Sequence, residues 1–191
     1  MDLSKFNLPQ YVLSFDPGGS GKTWAYAIST IKVRSNRNYF VPVEWGFIPP
    51  IEDIAKPDIK HIIEIKRTLT EKYPNVRMDL VAERFVGRGF TSWLAEYIAF
   101  ELGCWCSLWD RGQIRFIMAS QWKRMLEKRV DLKPTLKRYD SWWEEFWMDY
   151  TSVDEQHQGI VHTQDALAIG FWYFRYELGV NCTPEGIKDV R

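Results

Sequence analysis

Two short apolar runs, each closed by a carboxylate, constrain this chain more than any other feature. Tyr11-Val12-Leu13-Ser14-Phe15 is followed by Asp16, and Met78-Asp79-Leu80-Val81-Ala82 is followed by Glu83. Runs of this length and character read as buried strands, the second as a central one. A carboxylate at the end of a buried strand is costly unless something pairs with it. A third acid, Asp165, opens the apolar stretch Ala166 to Tyr176, with His162 one helical turn before it. Three such acids spread over the whole chain predict one converging site.

The remaining elements follow from periodicity and punctuation. Trp24 to Val33 alternates as a second strand in a hairpin with the first, and Tyr39 to Phe47 reads as a third antiparallel strand, broken by Pro42. Ile59, Ile62, Ile63, Ile65 and Leu69 recur at helical spacing within Ile51 to Tyr73, which Pro74-Asn75 ends. Thr91 to Leu102 predicts a helix stopped by Gly103, and Arg115 to Met118 a short strand. Ser120 caps a helix starting near Gln121, Ser141 to Tyr150 reads as helical, and His162 to Leu178 is a final helix ended by Gly179. The order predicts an α/β fold: a mixed sheet of five strands, three antiparallel and then parallel ones, flanked by helices. With no internal repeat and no long linker, residues 1–191 read as a single domain.

Composition narrows the class. At 46% hydrophobic residues the chain can build a core. No apolar run approaches the roughly 20 residues that span a bilayer, so no membrane partner is expected. Met1-Asp2-Leu3-Ser4-Lys5 lacks a signal-peptide pattern, and Cys104, Cys106 and Cys182 read as reduced thiols of a cytoplasmic protein. Net charge is zero, which argues against a generally basic nucleic-acid coat. The charge is nevertheless uneven. Arg111 to Arg138 carries a local charge of +7, and Tyr139 to Glu155 holds six acids and no base. That pairing fits a salt-bridged surface or a phosphate-contacting face.

Gly18-Gly19-Ser20-Gly21-Lys22-Thr23 looks like a nucleotide-binding phosphate loop. The pattern needs Gly at position 16, where this chain has Asp16, and a helix after Thr23, where Trp24-Ala25-Tyr26-Ala27-Ile28 prefers a strand. A glycine-rich hairpin turn accounts for the same residues.

The converging acids point to a divalent metal. An oxygen-rich cluster suits Mg²⁺ or Mn²⁺, and those ions most often serve phosphate chemistry. Each acid also has a plainer reading. Asp16 could be an Asx-turn residue, Glu83 could pair with Arg84 or Arg88, Asp165 could be a first-turn helix acid, and His162 could be a cap. His61 and His157 have no motif around them.

Taken together, four segments resemble the RuvC-like branch of the RNase H-like nuclease superfamily. Leu13-Ser14-Phe15-Asp16-Pro17-Gly18 with Trp24-Ala25 looks like the first strand and its turn. Val81-Ala82-Glu83-Arg84-Phe85 looks like the strand-ending glutamate. Phe116 to Arg124 is similar to the strand and basic helix that follow, and His162-Thr163-Gln164-Asp165-Ala166-Leu167-Ala168 looks like the C-terminal motif. The resemblance implies an endonuclease that cuts four-way (Holliday) or branched DNA junctions, serves DNA recombination and repair, and works as a homodimer. Phages commonly encode such compact resolvases, which would place it in a bacterial host's cytoplasm.

On that reading Asp16, Glu83, His162 and Asp165 are the catalytic and metal-binding residues, with Mg²⁺ or Mn²⁺, two per site. Asp16 bridges both metals, Glu83 and Asp165 hold either side, and His162 ligates metal or handles the water. Lys123 and Arg124 would contact backbone phosphates, with Arg88 beside them, and Phe85 or Phe90 could stack on a base of an opened junction. Trp142, Trp143 and Trp147 match nothing in the family and read as core or dimer contacts. The same segments also resemble a terminase-type nuclease domain. Outside catalysis, a junction-binding module on the same fold would have no need of a buried carboxylate cluster.

Overall fold

A computed structural model describes residues 8–17, 24–48, 59–84, 92–125 and 160–184. Strand β1 (Tyr11–Asp16) lies mid-sheet, between β2 (Trp24–Arg34) and β4 (Met78–Arg84). It pairs antiparallel with β2 and parallel with β4. β2 continues antiparallel into β3 (Arg37–Ile48), and β4 pairs parallel with β5 (Ile114–Met118). A sixth strand, β6 (Cys182–Pro184), adds parallel to the far side of β3. The sheet thus has six strands in the order β5-β4-β1-β2-β3-β6, one more than the sequence predicts. Asn38 Nδ2 fixes the extra strand by donating to the Asn181 carbonyl oxygen at 3.1 Å.

The β2–β3 hairpin closes at Ser35-Asn36, both at positive φ, the signature of a two-residue turn that matches strand twist. Pro42 does not break β3. The ladder shifts register there, with Ile28 opposite Glu44 and Ser29 opposite Pro42, so Val43 is the extra residue of a bulge. β2 also argues against a phosphate loop at Gly18 to Thr23. A strand antiparallel to β1 occupies the place where a phosphate loop needs a helix.

Each face of the sheet carries its own core. Leu13, Phe15, Leu80 and Ala82 pack with Ile62 and Leu69 of α1 (Lys60–Lys72) and with Ile98, Leu102 and Trp105 of α2 (Ser92–Leu108). Val12, Val81 and Ile117 pack on the other face with Trp122 of α3 (Ala119–Met125) and with Leu167 and Phe171 of α4 (Ile160–Trp172). α2 runs through Gly103, where the sequence predicts a stop. An interior glycine costs a helix only about 1 kcal/mol, and Trp105 and Trp109 beyond it are buried. α4 passes into a π-helical turn, Tyr173–Glu177, before Gly179 ends it at φ +66°.

α4 lies close on the sheet because residue 170 is glycine. A Cβ there would stand 3.1 Å from Ser14 Oγ and 3.4 Å from Ser29 Oγ. That contact sets the depth at which α4 presents its first turns. Among the described residues no helix is long and apolar enough to cross a membrane.

Candidate active site

Side chains alternate faces along a strand. Val12 faces α4 while Leu13 and Phe15 face α1 and α2, so Ser14 and Asp16 turn toward α4. On β4, Val81 faces α4 while Leu80 and Ala82 do not, so Asp79 and Glu83 share the α4 side. β1 and β4 run parallel, with Phe15 beside Ala82, and therefore deliver Asp16 and Glu83 to one edge of one face. Asp16 is buried, and the Glu83 side chain is 16% exposed.

Asp165 comes from the opposite layer. It sits near the start of α4, the helix packed against β1 and β2, and is buried. Lys123 of α3 joins the layers: its Nζ lies 3.8 Å from Glu83 Oε2 and 3.5 Å from Asp165 Oδ2. Trp122 donates its indole N–H to the same Glu83 Oε2 at 2.7 Å. Lys123 also stands over the Trp122 ring, 4.9 Å from its centroid.

The sequence-predicted residues are thus only partly gathered. Glu83 and Asp165 meet on one ammonium group, with Asp16 at the same edge and face. Among the described residues no three His, Cys, Asp or Glu side chains lie within common reach of one metal ion. Lys123, expected from the sequence to contact backbone phosphates, faces the two carboxylates. The His162 backbone lies in α4, one turn before Asp165, and its side chain lies outside the described residues, as does that of Arg124. Phe85, Arg88, Phe90, the glycine-rich turn and the Trp142, Trp143 and Trp147 group also lie outside them.

Two buried side chains are invisible to sequence patterns. Trp122 reads as part of a basic helix, yet it is fully buried on Glu83. Asp79, inside an apolar run, is fully buried at the other end of β4. It accepts from Tyr173 Oη at 2.9 Å and from the Gln113 backbone N–H at 2.9 Å. Burial and the Asp79 charge push the Tyr173 hydroxyl well above the ordinary tyrosine pKa, so it stays a donor. Asp79 therefore serves the fold, and Asp16 and Glu83 serve the opposite edge.

Lys123 has a measurable role in this arrangement. Two half-buried or buried carboxylates repel each other unless a cation stands between them. Lys123→Met is expected to destabilise the metal-free protein by about 1–2 kcal/mol, less than a fully buried pair would lose because Lys123 is itself partly exposed. If these carboxylates hold Mg²⁺, the same variant is expected to gain more melting temperature from saturating Mg²⁺ than the unaltered chain does. Thermal melts with and without Mg²⁺ check both; equal gains would remove Lys123 from the carboxylates.

No family model and no curated protein matches this chain. Solved structures do. The structure of Thermus thermophilus RuvC matches over 89% of this chain and 97% of its own, at 13% identity and a TM-score of 0.51. The same protein in complex with a Holliday junction substrate matches over the same shares, at 14% identity and a TM-score of 0.57. The chain has the RuvC fold. The yeast mitochondrial Holliday junction resolvase Ydc2 is also similar, at 15% identity and a TM-score of 0.47, over 88% of this chain and 80% of its own. On the RuvC fold of this chain, the acidic edge is built from β1, β4 and α4, with α3 supplying the cation between them.

Proposed function

We propose that this chain is a metal-dependent endonuclease that resolves four-way or branched DNA junctions. The observation that carries the reading is the meeting of Glu83 and Asp165 on Lys123, at the edge where Asp16 ends β1 of a RuvC fold. The donor set fits the expected ion: these are carboxylate oxygens, held largely away from water, and a hard divalent cation prefers such ligands. Asp16, Glu83 and Asp165 would hold Mg²⁺ or Mn²⁺, with His162 one turn from Asp165 as a further ligand or proton acceptor. When bound, the metal supplies an activated water and a stabilised leaving oxygen for phosphodiester hydrolysis.

The chain's own residues do the rest. The β1–β4 pairing fixes the spacing of Asp16 and Glu83, and the close seat of Gly170 fixes the depth of the helix that carries Asp165. Lys123 keeps the carboxylates together before metal arrives, and it then lies where a substrate phosphate would enter. Symmetric cutting of a four-way junction needs two such sites, so the working form is a homodimer. Phe100 on α2 and Phe116 and Met118 on the edge strand β5 are exposed apolar side chains on one side of the sheet, suited to that contact.

The test is cleavage of a labelled synthetic four-way junction beside linear duplex and other branched DNA, with Mg²⁺, Mn²⁺ or EDTA. Paired symmetric nicks in the junction, absent in EDTA, are the expected result. Equal cutting of every substrate would replace junction resolution with a general or packaging nuclease. Tight junction binding without cutting in either metal would leave only a binding module.

A further inference from the structure

Trp122 is the side chain at the acidic edge whose role nothing above has assigned. It is fully buried among the residues that pack under α4, and its N–H points at a carboxylate rather than a backbone carbonyl. Burial alone does not demand that bond in this protein. Trp24, Trp105 and Trp172 are also buried, and among the described residues their indole nitrogens make no hydrogen bond. Among the described residues, then, three other buried indole N–H groups have no partner, whereas the one at residue 122 is aimed at Glu83.

The aim is fixed by short connections. Glu83 lies directly across the β4–β5 ladder from Ile117. β5 passes into α3 without a loop, at Met118–Ala119. The Met118 backbone N–H donates to Gln121 Oε1 at 2.8 Å, which clamps this corner. Trp122 has little freedom to move relative to Glu83. A hydrogen bond to an ionised acceptor is about twice as strong as a neutral one, and an indole N–H can only donate.

We propose that Trp122 is a positioning residue for metal binding: its N–H holds Oε2 of Glu83 in place. The inference rests on the metal-dependent nuclease reading above. Carboxylate ligands are themselves held by hydrogen bonds, and loss of such an outer partner weakens metal binding by about 10–100-fold. Without Trp122, Glu83 swings more freely and no longer presents Oε2 in one place.

Trp122→Phe keeps an aromatic ring in the core and deletes only the N–H and part of the indole. Mn²⁺ affinity is measured by electron paramagnetic resonance, alongside the melting temperature and the metal dependence of junction cleavage. The expected result is a folded protein whose Mn²⁺ affinity falls about 10-fold or more and whose cleavage recovers as metal is raised. Unchanged Mn²⁺ affinity, with or without a lower melting temperature, would make Trp122 a packing residue and overturn the proposal.

A second measurement needs no folded Phe variant. Among the indole N–H resonances of the unaltered chain, the one displaced by Glu83→Gln is also expected to move on Mg²⁺ titration. If no indole resonance responds to both, the proposal fails. An unaltered chain that binds no Mn²⁺ and cuts no junction would instead overturn the nuclease reading itself. Normal cutting by the unaltered chain, with normal metal dependence in Trp122→Phe, would overturn the Trp122 assignment alone.

Discussion

Asp16→Asn is expected to bind a four-way junction as the unaltered chain does and to show no detectable cleavage in Mg²⁺ or Mn²⁺. The substitution preserves shape and removes one negative charge at the end of β1. Strand pairing on both sides of β1 holds the backbone there, so the sheet has no reason to change. DNA affinity comes mainly from contacts to the phosphate backbone, which the substitution leaves in place. Metal binding depends on the charge that is lost. Gel shift and cleavage of the same labelled junction separate the two effects. Full activity in this variant would take Asp16 out of the site.

The largest loss of stability is expected from Gly112→Ala, at the opposite edge of the sheet. A Cβ at residue 112 would stand 2.3 Å from the Met78 carbonyl oxygen and 2.5 Å from Asp79 Oδ1. Neither is the loose end of a side chain. Relief would require β4 or the strand entry at Gln113 to move, and that breaks the bond from Gln113 N–H to Asp79. Overpacking together with a lost charge-assisted hydrogen bond amounts to roughly 3–5 kcal/mol. For a chain of this size that is a fall of roughly 10 °C in melting temperature. Gly103→Ala is the control. Nothing lies within 4 Å of its Cβ, and alanine is better than glycine inside a helix by about 0.5–1 kcal/mol. A Gly112→Ala variant as stable as the unaltered chain would show that the β4–β5 entry is looser than the structure describes.

The sequence reveals the sheet centre well, because β1 and β4 are apolar runs with a charge at the end and little else could bury them. It reveals the edges poorly. β6 is three residues long and contains Pro184, so neither length nor alternation marks it; its existence depends on the distant β3. Gly103 reads as a helix stop because local propensity favours one, and burial of Trp105 and Trp109 on the far side outweighs it. Pro42 reads as a break because it cannot donate to a ladder, and the bulge at Val43 absorbs it.

The same division holds at the acidic edge. Asp16, Glu83 and Asp165 stand out in the sequence because each interrupts or opens an apolar stretch. Trp122 does not, and Lys123 reads only as a phosphate contact, because Gln121-Trp122-Lys123-Arg124 has the composition of an ordinary exposed basic turn. Only the β4–β5 register, with Glu83 opposite Ile117, turns that segment inward. Asp79 is hidden for a related reason: the hydroxyl that binds it lies 94 residues away, on Tyr173.

The division of the acidic edge between early strands and a late helix has a consequence for synthesis. Translation proceeds from the N-terminus at about 5–20 residues per second. The pairing of β1, β2, β3 and β4 can form while the rest of the chain is still being made, but Asp165 arrives seconds later, on α4. Until α4 settles over Ser14 and Ser29, Asp16 and Glu83 lack their opposite wall. On the proposed nuclease reading, a product that stops short of α4 would therefore be harmless to nearby DNA, and cutting power would appear only once α4 has docked.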